Sequence, residues 1–192
     1  MTAVGTTLDA PAVAPLEGSA TIRCLSSAEV FRAHGAYVFR LLRRLGVADA
    51  DLDDVTQDVF VAVHRSWDKY EERHHLRAWL SRIAVREASR YRRSRPPVAT
   101  IAIEIDALSG EASSPEASMR AHEALADFER LLSVLDEDRR NVFVLYEVEE
   151  LSMEEVADAV GCPVATAYSR LRAARKAILA AAKRLEAQRR MP

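Results

Sequence analysis

The stretch LSMEEVADAVGCPVATAYSRLRAARKAI, residues 151–178, restricts the fold more than any other part of the chain. It holds a short helical pattern, a Gly-Cys-Pro break, and a longer, more basic helical pattern. Ser152 followed by Glu155 has the form of a capping box, in which hydroxyl and carboxylate each accept a backbone N–H that the helix leaves unpaired. Val156 and Val160 mark the buried side of the first helix. Gly161 suits the left-handed residue that closes a helix. Pro163 suits the first turn of the next, where its missing N–H is not needed. In the second helix Val164, Ala167, Leu171, Ala174 and Ile178 recur at helical spacing and make a narrow apolar stripe. The pair predicts a helix-turn-helix. Tyr168, Ser169, Arg172, Arg175 and Lys176 lie on the opposite face, and Thr166 and Arg170 flank it. From a helix in the major groove such side chains reach base edges and phosphates. Upstream, LADFERLLSVLDEDRRNVFVLYEVEE supplies Leu131, Leu132, Leu135, Val142, Phe143 and Leu145 as core, with Asp136 or Asp138 as a helix cap. The prediction is a four-helix unit with the reading helix last.

That unit occupies little more than a third of a chain of 192 residues. Residues 26–95 read as helical nearly throughout, with no proline before Pro96. In DADLDDVTQDVFVAVHRSW, residues 49–67, Leu52, Val55, Val59 and Val63 share one face, while Asp51, Asp54, Gln57 and Asp58 lie elsewhere on the surface. So many acids repel DNA. The face is either solvated or a protein-docking surface, and spacing alone does not choose.

The next stretch is opposite in sign. LRAWLSRIAVREASRYRRSR, residues 76–95, carries Arg77, Arg82, Arg86, Arg90, Arg92, Arg93 and Arg95 against one acid, Glu87. Trp79, Leu80, Ile83, Ala84 and Ala88 form its apolar stripe. The arginines project where a phosphate backbone would lie. Trp67, Tyr70, His74, His75, Trp79 and Tyr91 interleave with them, a composition that holds unpaired bases by stacking; for Trp79 a core position is the competing assignment. His74 and His75 are adjacent and lack metal-ligand spacing or a partner in register.

Between the two modules, residues 96–121 carry Pro, Ser, Gly and acids and read as a flexible acidic linker; TIAIEI within them alternates like a strand but has no partner strand. Residues 1–25 lack periodicity and read as a disordered tail. The expected fold class is therefore all-α: two small helical domains, 26–95 and 122–192, joined by a linker. The formal net charge of -2 gives no argument for nucleic acid, so the argument rests on how charge is distributed. Cys24 and Cys162 form no Cys-x-x-Cys pair, which argues against a disulfide framework or zinc site. No apolar run approaches the roughly 20 residues of a membrane span, and neither a phosphate-binding glycine loop nor a nucleophile elbow is present. The reading is of a cytoplasmic protein that needs no cofactor and is not an enzyme.

The order of acidic helix, aromatic bend, arginine-rich helix, linker and helix-turn-helix resembles one family. DLDDVTQDVFVAVHRSW, LRAWLSRIA and LSMEEVADAVGCPVATAYSRLRAARKAI together resemble the extracytoplasmic-function (ECF) sigma factors of bacterial RNA polymerase, over roughly residues 27–185. The resemblance implies that residues 26–95 are the region two domain. Its acidic helix, with Asp53, Asp54, Gln57 and Asp58, would dock on the clamp helices of the polymerase beta-prime subunit. Tyr70, His74, His75, Arg77, Trp79, Arg82, Arg86, Arg90 and Arg93 would recognise and melt the -10 element. Residues 122–192 would be the region four domain. Thr166, Tyr168, Ser169, Arg170, Arg172, Arg175 and Lys176 would read the -35 element, the first helices would meet the beta-subunit flap, and the linker would run through the RNA exit channel. An anti-sigma factor is a common partner of the family, and association with the nucleoid would come with the holoenzyme. The chain departs from the family pattern at Arg86 and Arg90, at Tyr168, and at His74-His75, so promoter sequences do not carry over from relatives.

Distance favours two separate readers. The two promoter elements lie about 17 base pairs apart, near 60 Å at roughly 3.4 Å per step, and a compact domain of this length is only about 30–40 Å across. The alternative is a stand-alone helix-turn-helix regulator that binds operators as a dimer. No dimerisation helix or ligand domain is evident for it.

Overall fold

The computed structural model describes residues 26–70, 75–94 and 115–190. The tail, His74, Cys24 and most of the segment read as linker lie outside the described residues. The described part is all-α, with seven α-helices: α1 Ser27–Arg44, α2 Leu52–Ser66, α3 Leu76–Ser94, α4 Pro115–Ser133, α5 Glu137–Phe143, α6 Met153–Val160 and α7 Val164–Arg190. No described helix is long and apolar enough to cross a membrane.

The first module is α1, α2 and α3 around one core. Ser26 and Glu29 form a capping box at the start of α1. Leu52, Val55, Val59 and Val63 of α2 are buried, as their spacing predicts. Each such side chain stabilises the fold by about 1.5–3 kcal/mol relative to an exposed one. They meet Val30, Val38, Leu41 and Leu42 of α1 and the stripe Trp79, Leu80, Ile83, Ala84 and Ala88 of α3. Gly46 turns the chain after α1 at φ 91°, a left-handed conformation that costs glycine little.

The second module is α4 to α7. Helix α4 begins at Pro115, inside the segment read as linker, because proline is well suited to a first helical position. Of the two candidate caps of α5, Asp136 does the capping: its carboxylate accepts the Arg139 N–H at 2.9 Å. Helix α5 runs directly into a π-helical turn, Val144–Val148, that the apolar pattern does not foretell. The turn ends at Glu150, a non-glycine residue at φ 56°. The helix-turn-helix comes next, as read. Ser152 and Glu155 close the capping box of α6, Gly161 is left-handed at φ 67°, and Ala167, Leu171 and Ala174 of α7 are buried. Val164 is 37% exposed and Ile178 half-buried, so the stripe is shorter than predicted.

The modules are in contact. Helix α3 packs along α6, and the buried residues of both modules form one continuous cluster.

Candidate nucleic-acid interface

Helix α7 presents its polar face to solvent. Tyr168, Ser169, Arg172, Arg175 and Lys176 are exposed, and Thr166 and Arg170 are half-buried at the edge. Three contacts within the module organise this face. Arg170 donates to Asp138 at 2.6 Å, and Arg175 donates to Glu147 at 2.6 Å. The Arg175 guanidinium also lies 5.8 Å from the centre of the Tyr146 ring. Tyr146 and Glu147 belong to the π-helical turn, which thereby places an aromatic ring and a carboxylate against the reading helix. Tyr146, Tyr168, Leu171, Arg172 and Arg175 line a shallow hollow there. Sequence pattern missed Tyr146 and Glu147. The available signal was a tyrosine and an acid within a stretch read only as core.

Helix α2 displays Asp53, Asp54, Gln57 and Asp58 on one exposed face. Asp58 pairs with Arg90 of α3 at 2.7 Å. Beside the acids lies an apolar groove that the sequence did not announce, lined by Phe31, Phe60 and Val61 together with Asp53 and Gln57. Phe31 is 49% and Val61 39% exposed. Phe31 meets Phe60 edge to face at 4.8 Å, which holds the exposed ring in place.

The aromatic bend differs from the expectation in one respect. Trp79 is 8% exposed and belongs to the core, so it does not offer a ring to a base. It supports Tyr70, whose ring centre is 5.1 Å away, and Trp67, which stacks on Tyr70 at 5.4 Å. Tyr91 is engaged through its hydroxyl with Asp51 at 2.8 Å. His75 is exposed, and Arg86 and Arg93 are exposed along α3.

Arg77 and Arg82 are exposed and half-buried respectively, and both are occupied by the second module. Arg77 donates to Glu149 at 3.2 Å and lies 4.6 Å above the Tyr37 ring. Burial, and then the Arg77 charge, lowers the pKa of neighbouring His34. Arg44 reaches the other oxygen of Glu149 at 2.7 Å, and that carboxylate is 2% exposed. Arg82 pairs with Asp158 at 3.0 Å and His75 with Glu155 at 3.1 Å. At the far end of α3, Arg92 pairs with Glu137 at 2.7 Å and the Ser89 hydroxyl donates to the same carboxylate. Burial raises the Glu137 pKa, but these hydrogen bonds and the charges of Arg92 and Arg93 more than offset it, leaving the group below its ordinary value.

Comparison with known proteins gives consistent matches. The family model described as Sigma-70 region 2 matches residues 30–96, and that described as Sigma-70, region 4 matches residues 125–178. The chain is 36% identical over 141 residues to the ECF RNA polymerase sigma-E factor of Escherichia coli strain K12, covering 69% of this chain and 74% of that protein. Two solved structures share the fold. CnrH in complex with the cytosolic domain of CnrY aligns with a TM-score of 0.60 at 25% identity, over 84% of this chain and 92% of that one. The sigma factor RpoE in complex with the anti-sigma factor NepR from Bartonella quintana aligns with a TM-score of 0.65 at 24% identity, over 81% and 95%.

Proposed function

Because this chain belongs to the ECF sigma factors of RNA polymerase, we propose a division of labour among its exposed faces in promoter-specific transcription initiation. The α2 face of Asp53, Asp54, Gln57 and Asp58, with the Phe31–Val61 groove beside it, docks on the beta-prime clamp helices of core polymerase. An acidic rim around an apolar patch suits a basic, partly apolar partner and disfavours DNA. The bend and α3 act at the -10 element: His74, His75 and Tyr70 at the unpaired base, and Arg77, Arg82, Arg86, Arg90 and Arg93 at phosphates. Helix α7 reads the -35 element with Tyr168, Ser169 and Arg172, while Thr166, Arg170, Arg175 and Lys176 hold the backbone. The first helices of the second module meet the beta flap, and the linker follows the RNA exit channel. An anti-sigma factor is the expected inhibitor, since both solved neighbours are held by such a protein or by a bound partner domain. The working compartment is the cytoplasm.

One observation carries this division: opposite charge on two adjacent helices of one module, with a second basic reading helix on the other module. A stand-alone operator-binding regulator has no use for the acidic face and is not favoured. Run-off transcription tests the proposal. The isolated chain should start no transcripts, and the chain with core polymerase should initiate at defined promoters. Asp53→Lys with Asp54→Lys, both exposed, should weaken core association by roughly tenfold or more through charge reversal at the interface, with the helical circular dichroism unchanged. Undiminished core affinity would remove the docking assignment.

A further inference from the structure

All of the described ion pairs between the modules have the same polarity. The base stands on the first module and the acid on the second: Arg44 and Arg77 on Glu149, His75 on Glu155, Arg82 on Asp158, Arg92 on Glu137. Scattered surface contacts would mix both senses. The acids come from three successive pieces of the second module, α5, the end of the π-helical turn, and α6, and together they run along α3. They fall on the face that a phosphate backbone would occupy if α3 acts at the -10 element.

We propose that the acidic surface formed by α5, the π-helical turn and α6 is an internal partner for α3 that competes with promoter phosphate. It holds the free chain closed and keeps Arg77 and Arg82 from DNA until core polymerase draws the modules apart. Glu149 is the centre of this latch. Its buried carboxylate spans Arg44 and Arg77 with one oxygen each, and removing one partner from such a group leaves an uncompensated charge. The Arg82–Asp158 pair is exposed at 40% and 60% and contributes less. Closure and promoter reading exclude one another on distance: packed modules cannot span elements about 60 Å apart at roughly 3.4 Å per base step. Arg86 and Arg93 remain exposed in the closed form, which leaves a weak basic patch for a first encounter with DNA. The masking half of the proposal rests on α3 being a DNA face; the latch itself does not.

The test uses the full chain without polymerase. A single compact body of 192 residues has a radius of gyration of about 16 Å. Small-angle scattering should give a compact parent in 0.1 M salt and an expanded one in 1 M salt, where the screening length falls from about 10 Å to about 3 Å. Glu149→Gln with Asp158→Arg should raise the radius by roughly a third at low salt, as the compact scaling no longer applies. Asp158→Arg alone, at an exposed position, should give a smaller rise. Adding Arg82→Asp to Asp158→Arg should restore compaction by reversing the pair. Binding of a fluorescent, mixed-sequence, single-stranded DNA 15-mer should tighten about tenfold in the opened double variant, the arginines being freed for phosphate. Glu123→Gln with Glu186→Arg makes the same change in net charge away from the seam and should show a smaller gain. An unchanged radius in the double variant overturns the latch, whatever DNA does. Expansion with no gain over the charge control overturns the masking, and with it the reading of α3 as a DNA face.

Discussion

Helices α3 and α7 are both basic, and their arginines are held in different ways. On α7 the acidic partners belong to the same module: Asp138 holds Arg170 and Glu147 holds Arg175. On α3 Arg77, Arg82 and Arg92 are held by the opposite module. The -35 face is therefore assembled by local folding and does not depend on where the first module sits. The -10 face is complete only after the modules part. The difference separates a surface that is permanently presented from one that is conditionally presented, with the same residue type doing both.

The sharpest way to break this contrast is to damage the second module from within. Leu171→Ala removes a 2% exposed side chain beneath the α7 face and should destabilise that module by about 2–5 kcal/mol. Thermal unfolding followed by circular dichroism should show the loss, and transcription that depends on a -35 element should fall with it. An unchanged melting curve would mean that α7 is not organised by its own core. Next in size, Arg172→Ala should cost about 1–3 kcal/mol on the best -35 sequence and relax preference at one or two base pairs. Lys176→Ala should weaken all promoters alike and lower the salt dependence by about one counterion. A randomised -35 library transcribed by each holoenzyme separates them; if Lys176→Ala alters the selected sequence and Arg172→Ala does not, the reading face is misassigned. The smallest effect concerns Glu137, which faces Ser89, Arg92 and Arg93 of α3. Its closed-state pKa lies below the ordinary 4.5. Its contribution to closure is thus complete above that value and fades as pH falls through the depressed one. Scattering between pH 6 and pH 3.5 should show a loosening component that Glu137→Gln, already neutral, lacks. Identical profiles would place Glu137 outside the seam energetics.

What the sequence disclosed was whatever is written in short range. The Ser152–Glu155 box, the Gly161 stop and the α2 and α3 stripes rest on neighbours three or four residues apart, and all are found where the spacing puts them. The acidic face of α2 was legible for the same reason. Its apolar neighbour Phe31 was not, because nothing local distinguishes an apolar side chain left exposed from one that is buried. The seam was illegible for a stronger reason. Arg44 and Glu149 are 105 positions apart, and Arg77 and Glu149 72 apart. No periodicity links such pairs; only the packing of α3 on α6 brings them together. Trp79 illustrates the converse. Its pattern allowed either a stacking ring or a core residue, and the choice depended on Trp67 and Tyr70 closing over it.

The π-helical turn has a genetic consequence. A turn of this kind carries one residue more than the α-helix it interrupts, so Val144–Val148 has the geometry of a single-codon insertion absorbed without breaking the helix. Losing one codon there would wind the turn back to α and rotate the chain beyond it by about 100°, one residue's share of a 3.6-residue turn. Tyr146 and Glu147 would leave Arg175, and Glu149 would leave Arg44 and Arg77. A one-residue deletion in five positions would disturb the reading helix and the seam together, whereas substitutions elsewhere disturb them one at a time. Length in this stretch is therefore more tightly constrained than the chemical identity of its apolar residues.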